Sequence, residues 1–244
     1  MSHDAKSLLR AHLQQRAELG ETELFLEGVT AADVLDLAAR SPTEQRAGAP
    51  AHGVPGNDIV QIGSLDALRE VALGCPRCRL AETRQHVVFG DGNPQAEVVV
   101  VGEAPGADED RTGLPFVGRA GKLLDLLLAA AGYTRADVYI CNVLKCRPPG
   151  NRDPRPEEVE ACSPYLLRQV ELIRPRAILA FGTFSAQTLL GSKESIGRMR
   201  GRVHDYHGVP LVPTYHPAAL LRNPAWTRSA WEDLQRLRTL TDPA

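Results

Sequence analysis

From residue 97 to the end of the chain, buried-strand patterns alternate with helix patterns. This alternation limits the fold more than any other feature of the sequence. "EVVVVGE" (97–103), "DVYICNV" (137–143) and "RAILAFG" (176–182) are short runs of β-branched and apolar residues, and "VHDYHGVPLVPTYHP" (203–217) holds one or two more strands. Between them lie "GRAGKLLDLLLAAAG" (118–132), "RPEEVEACSPYLLRQVELIRP" (155–175) and "TFSAQTLLG" (183–191), with helical spacing and Gly or Pro at their ends. A closing helix is predicted over 226–240. Strands in such alternation pair in parallel, because each crossover helix returns the chain to the same edge. The result is a mostly parallel sheet covered on both faces.

Upstream, "SLDALREVALG" predicts a helix with Ser64 as N-cap and Gly74 as stop. Residues 4–39 are periodic like helices, and "SPTEQRAGAPAHGVPGND" (41–58) is a Pro/Gly/Ala-rich linker without periodicity. The chain is therefore expected to divide into a helical N-terminal extension with linker, 1–60, and a main domain, 61–244. The polar N-terminus and the lack of a long apolar run point to a soluble, cytoplasmic protein.

In a parallel sheet the ligand site lies at the carboxyl ends of the strands. The segments leaving those ends are polar and rich in Gly or Pro: "EAPGADEDRTGLPFVG", "NVLKCRPPGNRDP" and "HPAALLRNP". They place Glu103, Asn142 and His216 at three strand exits. His204 and His207 are read as ordinary surface residues. The net charge of −2 does not suggest a nucleic-acid binder, yet its distribution is uneven. Residues 142–202 hold eleven Lys/Arg against six Asp/Glu, whereas residues 1–60 hold five against nine. A basic face is compatible with phosphate binding.

Five cysteines complete the chemistry. Cys75 and Cys78 form a C-x2-C, and Cys146 and Cys162 a C-x15-C. Four thiolates suit zinc or an iron–sulfur cluster, and spacing alone does not separate the two. Cys141 lies inside a strand pattern and reads as a core residue. A zinc deaminase would need a His-x-Glu and a Pro-Cys-x-x-Cys, which the chain lacks.

"GEAPGADED", "GLPFVGRAGKLLD", "CNVLKCRPPGNRDP" and "YHPAALLRNP" resemble, in order and spacing, the motifs of the family 4, iron–sulfur uracil-DNA glycosylases. The resemblance covers about residues 70–240. It implies a three-layer α/β sandwich around a mostly parallel four-stranded sheet, with a structural 4Fe–4S cluster on Cys75, Cys78, Cys146 and Cys162. It further implies hydrolysis of the N-glycosidic bond of deoxyuridine in DNA. A neighbouring branch that forms a covalent adduct with DNA carries a His-containing insert after the third cysteine and a Gln in the first motif. This chain has "RPPGNRDPRP" and Ala104, which implies ordinary turnover.

On this resemblance Glu103, or more weakly Asp108, serves the water and the oxocarbenium-like sugar, and His216 donates to the leaving uracil. Ala104, Glu109, Phe116 and Asn142 form the base pocket. Phe116 stacks, Glu109 crowds uracil C5 against thymine, and Asn142 reads the O4/N3 edge with one donor and one acceptor. Lys145, Arg147 and Arg152 are expected on DNA phosphates. Leu220, Leu221 or Arg222 is expected to wedge into the gap left by the flipped base. The expected partner is uracil-containing DNA in the nucleoid, bound by a monomer, with residues 1–40 free to recruit a repair or replication protein. The competing reading is an iron–sulfur nucleic-acid-binding module without glycosylase activity.

Overall fold

The computed structural model describes residues 59–242. Helix α1 is Leu65–Leu73, with Ser64 Oγ accepting from Ala67 N at 3.2 Å and Gly74 ending it, as the sequence predicts. The sheet then builds from β1 Asp91–Gly92, β2 Val98–Gly102, β3 Val138–Asn142, β4 Ala177–Phe181, β5 His204–Tyr206 and β6 Val209–Thr214, in the order β1-β3-β2-β4-β6-β5. The four inner strands are parallel. The expected four-stranded sheet is thus extended by two short antiparallel edges, β1 on β3 and β5 on β6. At two and three residues these edges are too short to show a period in the sequence.

Alternate residues of each inner strand face opposite sides, which divides the core in two. Val98 and Val100 pack with Leu124 and Leu128 of helix α3 (Arg119–Ala130) and Leu234 and Leu237 of helix α8 (Thr227–Thr241). Val99, Val101 and Cys141 pack with Leu166 and Val170 of helix α4 (Pro156–Ile173) and Ala186 and Leu189 of helix α5 (Thr183–Leu190). Cys141 is fully buried, in keeping with a core role. The remaining helices are short: α2 Ala107–Thr112, α6 Ile196–Met199 and α7 Pro217–Arg222.

A third core cluster joins Leu68 and Ala72 to Leu80, Phe89, Leu144, Cys146, Cys162 and Tyr165, and it includes Ile59 at 0% exposure. Arg168 Nε also donates to the Ile62 carbonyl at 2.8 Å. Ile59, which a boundary at residue 60 would leave in the extension, is therefore a core residue. The extension proper, including residues 1–40, lies outside the described residues. A chain starting at residue 63 should melt at least about 4 °C lower than one starting at residue 51. Losing one buried Ile side chain costs about 2–5 kcal/mol, and in a domain this size each kcal/mol moves Tm by about 2–4 °C. Scanning calorimetry of the two chains decides it.

Candidate active site

Because β3, β2, β4 and β6 run parallel, their carboxyl ends meet along one edge. The segments leaving them line a cleft of about 750 Å³. Glu103 and Ala104 follow β2, Asn142 ends β3, Gly182 and Thr183 follow β4, and Tyr215 and His216 follow β6. Glu109, Phe116, Arg152, Asp153 and Arg222 complete the walls used below. The three strand-exit residues expected from sequence are thus brought together.

Asn142 is 2% exposed. Its backbone carbonyl accepts from Lys145 Nζ at 2.7 Å, while its carboxamide makes no hydrogen bond among the described residues. A buried amide left unpaired at a cleft is suited to an incoming donor–acceptor edge. Gly102, beside it on β2, makes room: an added Cβ there would stand 2.3 Å from Asn142 Oδ1 and 2.6 Å from Phe116 Cζ.

Phe116 settles between stacking wall and core residue by being both. It is 6% exposed, packs against Phe181 at 6.5 Å, stacks on His216 at 5.7 Å and 27°, and lines the cleft. Its backbone holds φ +53°, a left-handed conformation that is unfavourable for an aromatic residue. The surroundings impose that turn. Arg135 donates to the carbonyls of Pro115, at 3.2 Å, and of Phe116, and is itself held by Asp125 at 2.6 Å. Glu109 locks the other side, its carboxylate accepting from the amides of Gly106, Val117 and Gly118 at 2.9–3.1 Å.

His216 caps α7, with Nδ1 accepting from Ala218 N at 3.1 Å. An accepting Nδ1 leaves the proton on Nε2. Burial, reinforced by the Arg222 charge, lowers the imidazole pKa to about 4. The ring is therefore a neutral N–H donor at ordinary pH. Gly182, at φ +92°, lets the chain leave β4 within 3.1 Å of the His216 Cβ, measured from where its own Cβ would stand. The Glu103 carboxyl pKa is raised, by burial first and then by the charge of Asp153.

Several expected site residues lie elsewhere. Lys145 is 2% exposed and points inward, its ammonium bonded to Asn142 O and to Gln169 Oε1 at 2.5 Å, so it does not meet phosphates. Asp108 is exposed, pairs with Arg111 at 3.3 Å and does not line the cleft, which fits a solvated charge run. Leu220 is 2% exposed within the α3–α8 core, so it cannot wedge into DNA without unpacking, whereas Leu221 and Arg222 are exposed. Arg147 binds Asn151 Oδ1 at 2.7 Å. Arg152 borders the cleft and clamps Glu158 through two bonds of 2.5 and 2.9 Å, which seats the loop against the start of α4.

Cys75, Cys78, Cys146 and Cys162 line one small pocket, with Arg77, Arg84, Lys145 and Tyr165. Two donors already face the sulfurs: Lys145 N to Cys162 Sγ at 3.2 Å and Arg84 Nη1 to Cys146 Sγ at 3.5 Å. Burial pushes the Cys146 thiol up to about 11 and that of Cys162 to about 12. Among the described residues no group of three His, Cys, Asp or Glu is set to hold a single metal ion. A pocket walled by four thiols and by N–H groups directed at sulfur fits a thiolate-bound cluster.

Sequence reasoning passed over Gly102, Asp153, Tyr215 and Trp226. The glycine ending a valine run was the available signal for a close approach. Tyr215 carried no signal apart from following a strand exit, and Trp226, in the turn between two helices, carried none. Among the described residues no helix is long and apolar enough to cross a membrane.

The family model "Uracil DNA glycosylase superfamily" matches residues 89–235. The chain is 46% identical over 185 residues to the type-4 uracil-DNA glycosylase of Archaeoglobus fulgidus, covering 72% of this chain and 93% of that protein. It is 45% identical over 179 residues to the type-4 uracil-DNA glycosylase of Thermotoga maritima, covering 72% and 93%. A type-5 uracil-DNA glycosylase of Thermus thermophilus is more distant, at 33% over 175 residues. With a parallel sheet whose strand exits gather Glu103, Asn142 and His216, and with these relatives, the chain belongs to the uracil-DNA glycosylase superfamily, among its type-4 members.

Proposed function

We infer that the chain is a DNA-repair glycosylase that hydrolyses the C1′–N1 bond of deoxyuridine, releasing uracil and leaving an abasic site. The observation that carries this is the convergence of an unpaired Asn142 carboxamide, a neutral His216 N–H donor and the Phe116 ring in one cleft. A flipped uracil stacks on Phe116. The Asn142 amide donates to O4 and accepts from N3–H, a pairing that cytosine reverses. His216 Nε2–H donates to O2, where charge collects as the bond breaks. Glu103, as a carboxylate, holds the attacking water and faces the positive sugar. Glu109 braces the Phe116 loop through its carboxylate and lines the cleft, which supports its proposed role of crowding C5 against thymine. Arg147 and Arg152 remain the proposed phosphate contacts, and Leu221 and Arg222 the wedge.

Cys75, Cys78, Cys146 and Cys162 would hold a 4Fe–4S cluster, whose contribution is structural. The chain itself links the pocket to the base reader: Lys145 touches Cys162 Sγ through its amide and the Asn142 carbonyl through its ammonium.

Uracil release from a uracil-containing oligonucleotide tests the reading, and its absence from iron-replete protein would favour a binding module. Asn142→Asp sharpens the test. It replaces the donor with a carboxylate facing O4, and an unpaired buried polar group costs about 1–3 kcal/mol. Release with enzyme in excess should fall by about fivefold to a hundredfold, while the protein stays folded. A rate within twofold of wild type would remove Asn142 from the base pocket.

A further inference from the structure

We propose that Trp226 is a stacking platform for a second nucleobase, one belonging to the DNA strand that carries the flipped uridine. The inference rests on the glycosylase reading and adds a base-binding site to it. Trp226 ends the short turn Pro224–Trp226 between α7 and α8 and lines the same cleft as Asn142 and His216. It keeps 39% of its surface exposed. Single exposed apolar side chains are common and need no explanation, but this one is built into a column. Its ring lies on Tyr215 at 4.7 Å and 13°, close to parallel. Tyr215 in turn carries the Arg200 guanidinium 5.5 Å from its centre.

Arg200 is itself fixed. It makes two bonds to the fully buried Asp233, at 2.8 and 3.0 Å, and one to the Ser229 carbonyl at 2.5 Å. Asp233 also accepts from Gly201 N at 3.2 Å. The buried ion pair thus holds the guanidinium over Tyr215, on which Trp226 lies, and Trp226 is exposed at the cleft. A ring held in place loses little freedom when a ligand arrives. A flat, π-faced ligand suits it, and base–aromatic stacking is the common way to hold single-stranded nucleic acid without reading its sequence. Exposed Leu221 and Arg222 precede it on α7, so the proposed wedge and the ring share one rim. The chain's other tryptophan, Trp231, is as exposed at 38% but lies outside the cleft and stacks on no aromatic ring among the described residues. It serves as the internal control.

With Trp231→Phe as background, Trp226 is the only indole in the chain. Its fluorescence should quench saturably when a short single-stranded thymidine oligonucleotide without uracil is added. Trp226→Ala should raise KM for uracil release by about fivefold to a hundredfold, the span of losing one stacked base, with kcat within about twofold. Trp226→Phe, which keeps a ring, should recover most of that loss. No quenching at saturating oligonucleotide, with wild-type protein still releasing uracil, overturns the platform and leaves the glycosylase reading intact. It would turn attention to a protein partner on this rim. Quenching by a protein that releases no uracil supports the platform and sinks the activity. An unchanged KM in Trp226→Ala, or an equal loss in Trp226→Phe, also overturns the proposal.

Discussion

Uracil release by a His216→Ala chain, measured in single turnover with enzyme in excess, should fall by about a hundredfold to a thousandfold, the usual loss for removing one preorganised donor to a developing oxyanion. The donor is preorganised because the Ala218 amide occupies Nδ1 and leaves Nε2 protonated. It is neutral because burial and Arg222 lower its pKa to about 4. The wild-type rate should therefore show no His216 titration near pH 6.5. An acid-side fall above the pH of about 4 at which His216 itself titrates is expected from Glu103, proposed to act as a carboxylate and raised in pKa by burial and Asp153. That limb should persist at the same pH in His216→Ala. Stability has a matching sign. The unfolded chain binds the histidine proton near pH 6.5, whereas the folded chain resists it until about 4, so acidification across that window destabilises the fold. A His216→Ala rate within twofold of wild type would show that no uracil oxygen meets this ring.

The strands and long helices were legible because each carries its own period. "VVVV" is buried on both faces, and Ser64 and Gly74 bracket nine helical residues. The site was legible at one remove, since parallel strands must deliver their exits to one edge. Other features depended on distant partners. "ADEDRT" reads as a charge run, yet it folds as a helix because Glu109 returns to the Gly106 amide. Lys145 sits in a basic stretch, and only Gln169, on the following helix, and the Asn142 carbonyl turn it inward. Leu220 and Leu221 are chemically alike. The α7 phase, set by His216 and Pro217, buries one and exposes the other. Trp226 gained meaning only when Tyr215 and Arg200, far apart in sequence, stacked behind it.

Replacing Cys162 with alanine should cost the protein the iron of the proposed cluster and most of its soluble yield, whereas Cys141→Ala should keep both. The two residues are similar in burial, at 9% and 0% exposure, so loss of packing alone cannot separate them. What differs is their company. Cys141 packs among aliphatic side chains in the α4–α5 half of the core. Cys162 shares a pocket with Cys75, Cys78 and Cys146 and accepts the Lys145 amide. Those four side chains come from the segment after α1, the loop after β3 and the middle of α4. A cluster bound to them would tie three segments together around the smallest of the three cores. Structural metal sites contribute folding free energy of about 10 kcal/mol or more, against a total stability of about 5–15 kcal/mol for a domain. Loss of one ligand can therefore unfold this layer, and with it the Lys145 bond to the Asn142 carbonyl. A truncation at Cys141 should cost no more than about 2 kcal/mol. Iron per chain, with visible absorption near ~400 nm from cysteine-to-iron charge transfer, reads the difference directly. Wild-type iron in Cys162→Ala, or its loss in Cys141→Ala, would show that the cluster rests on a different set of cysteines.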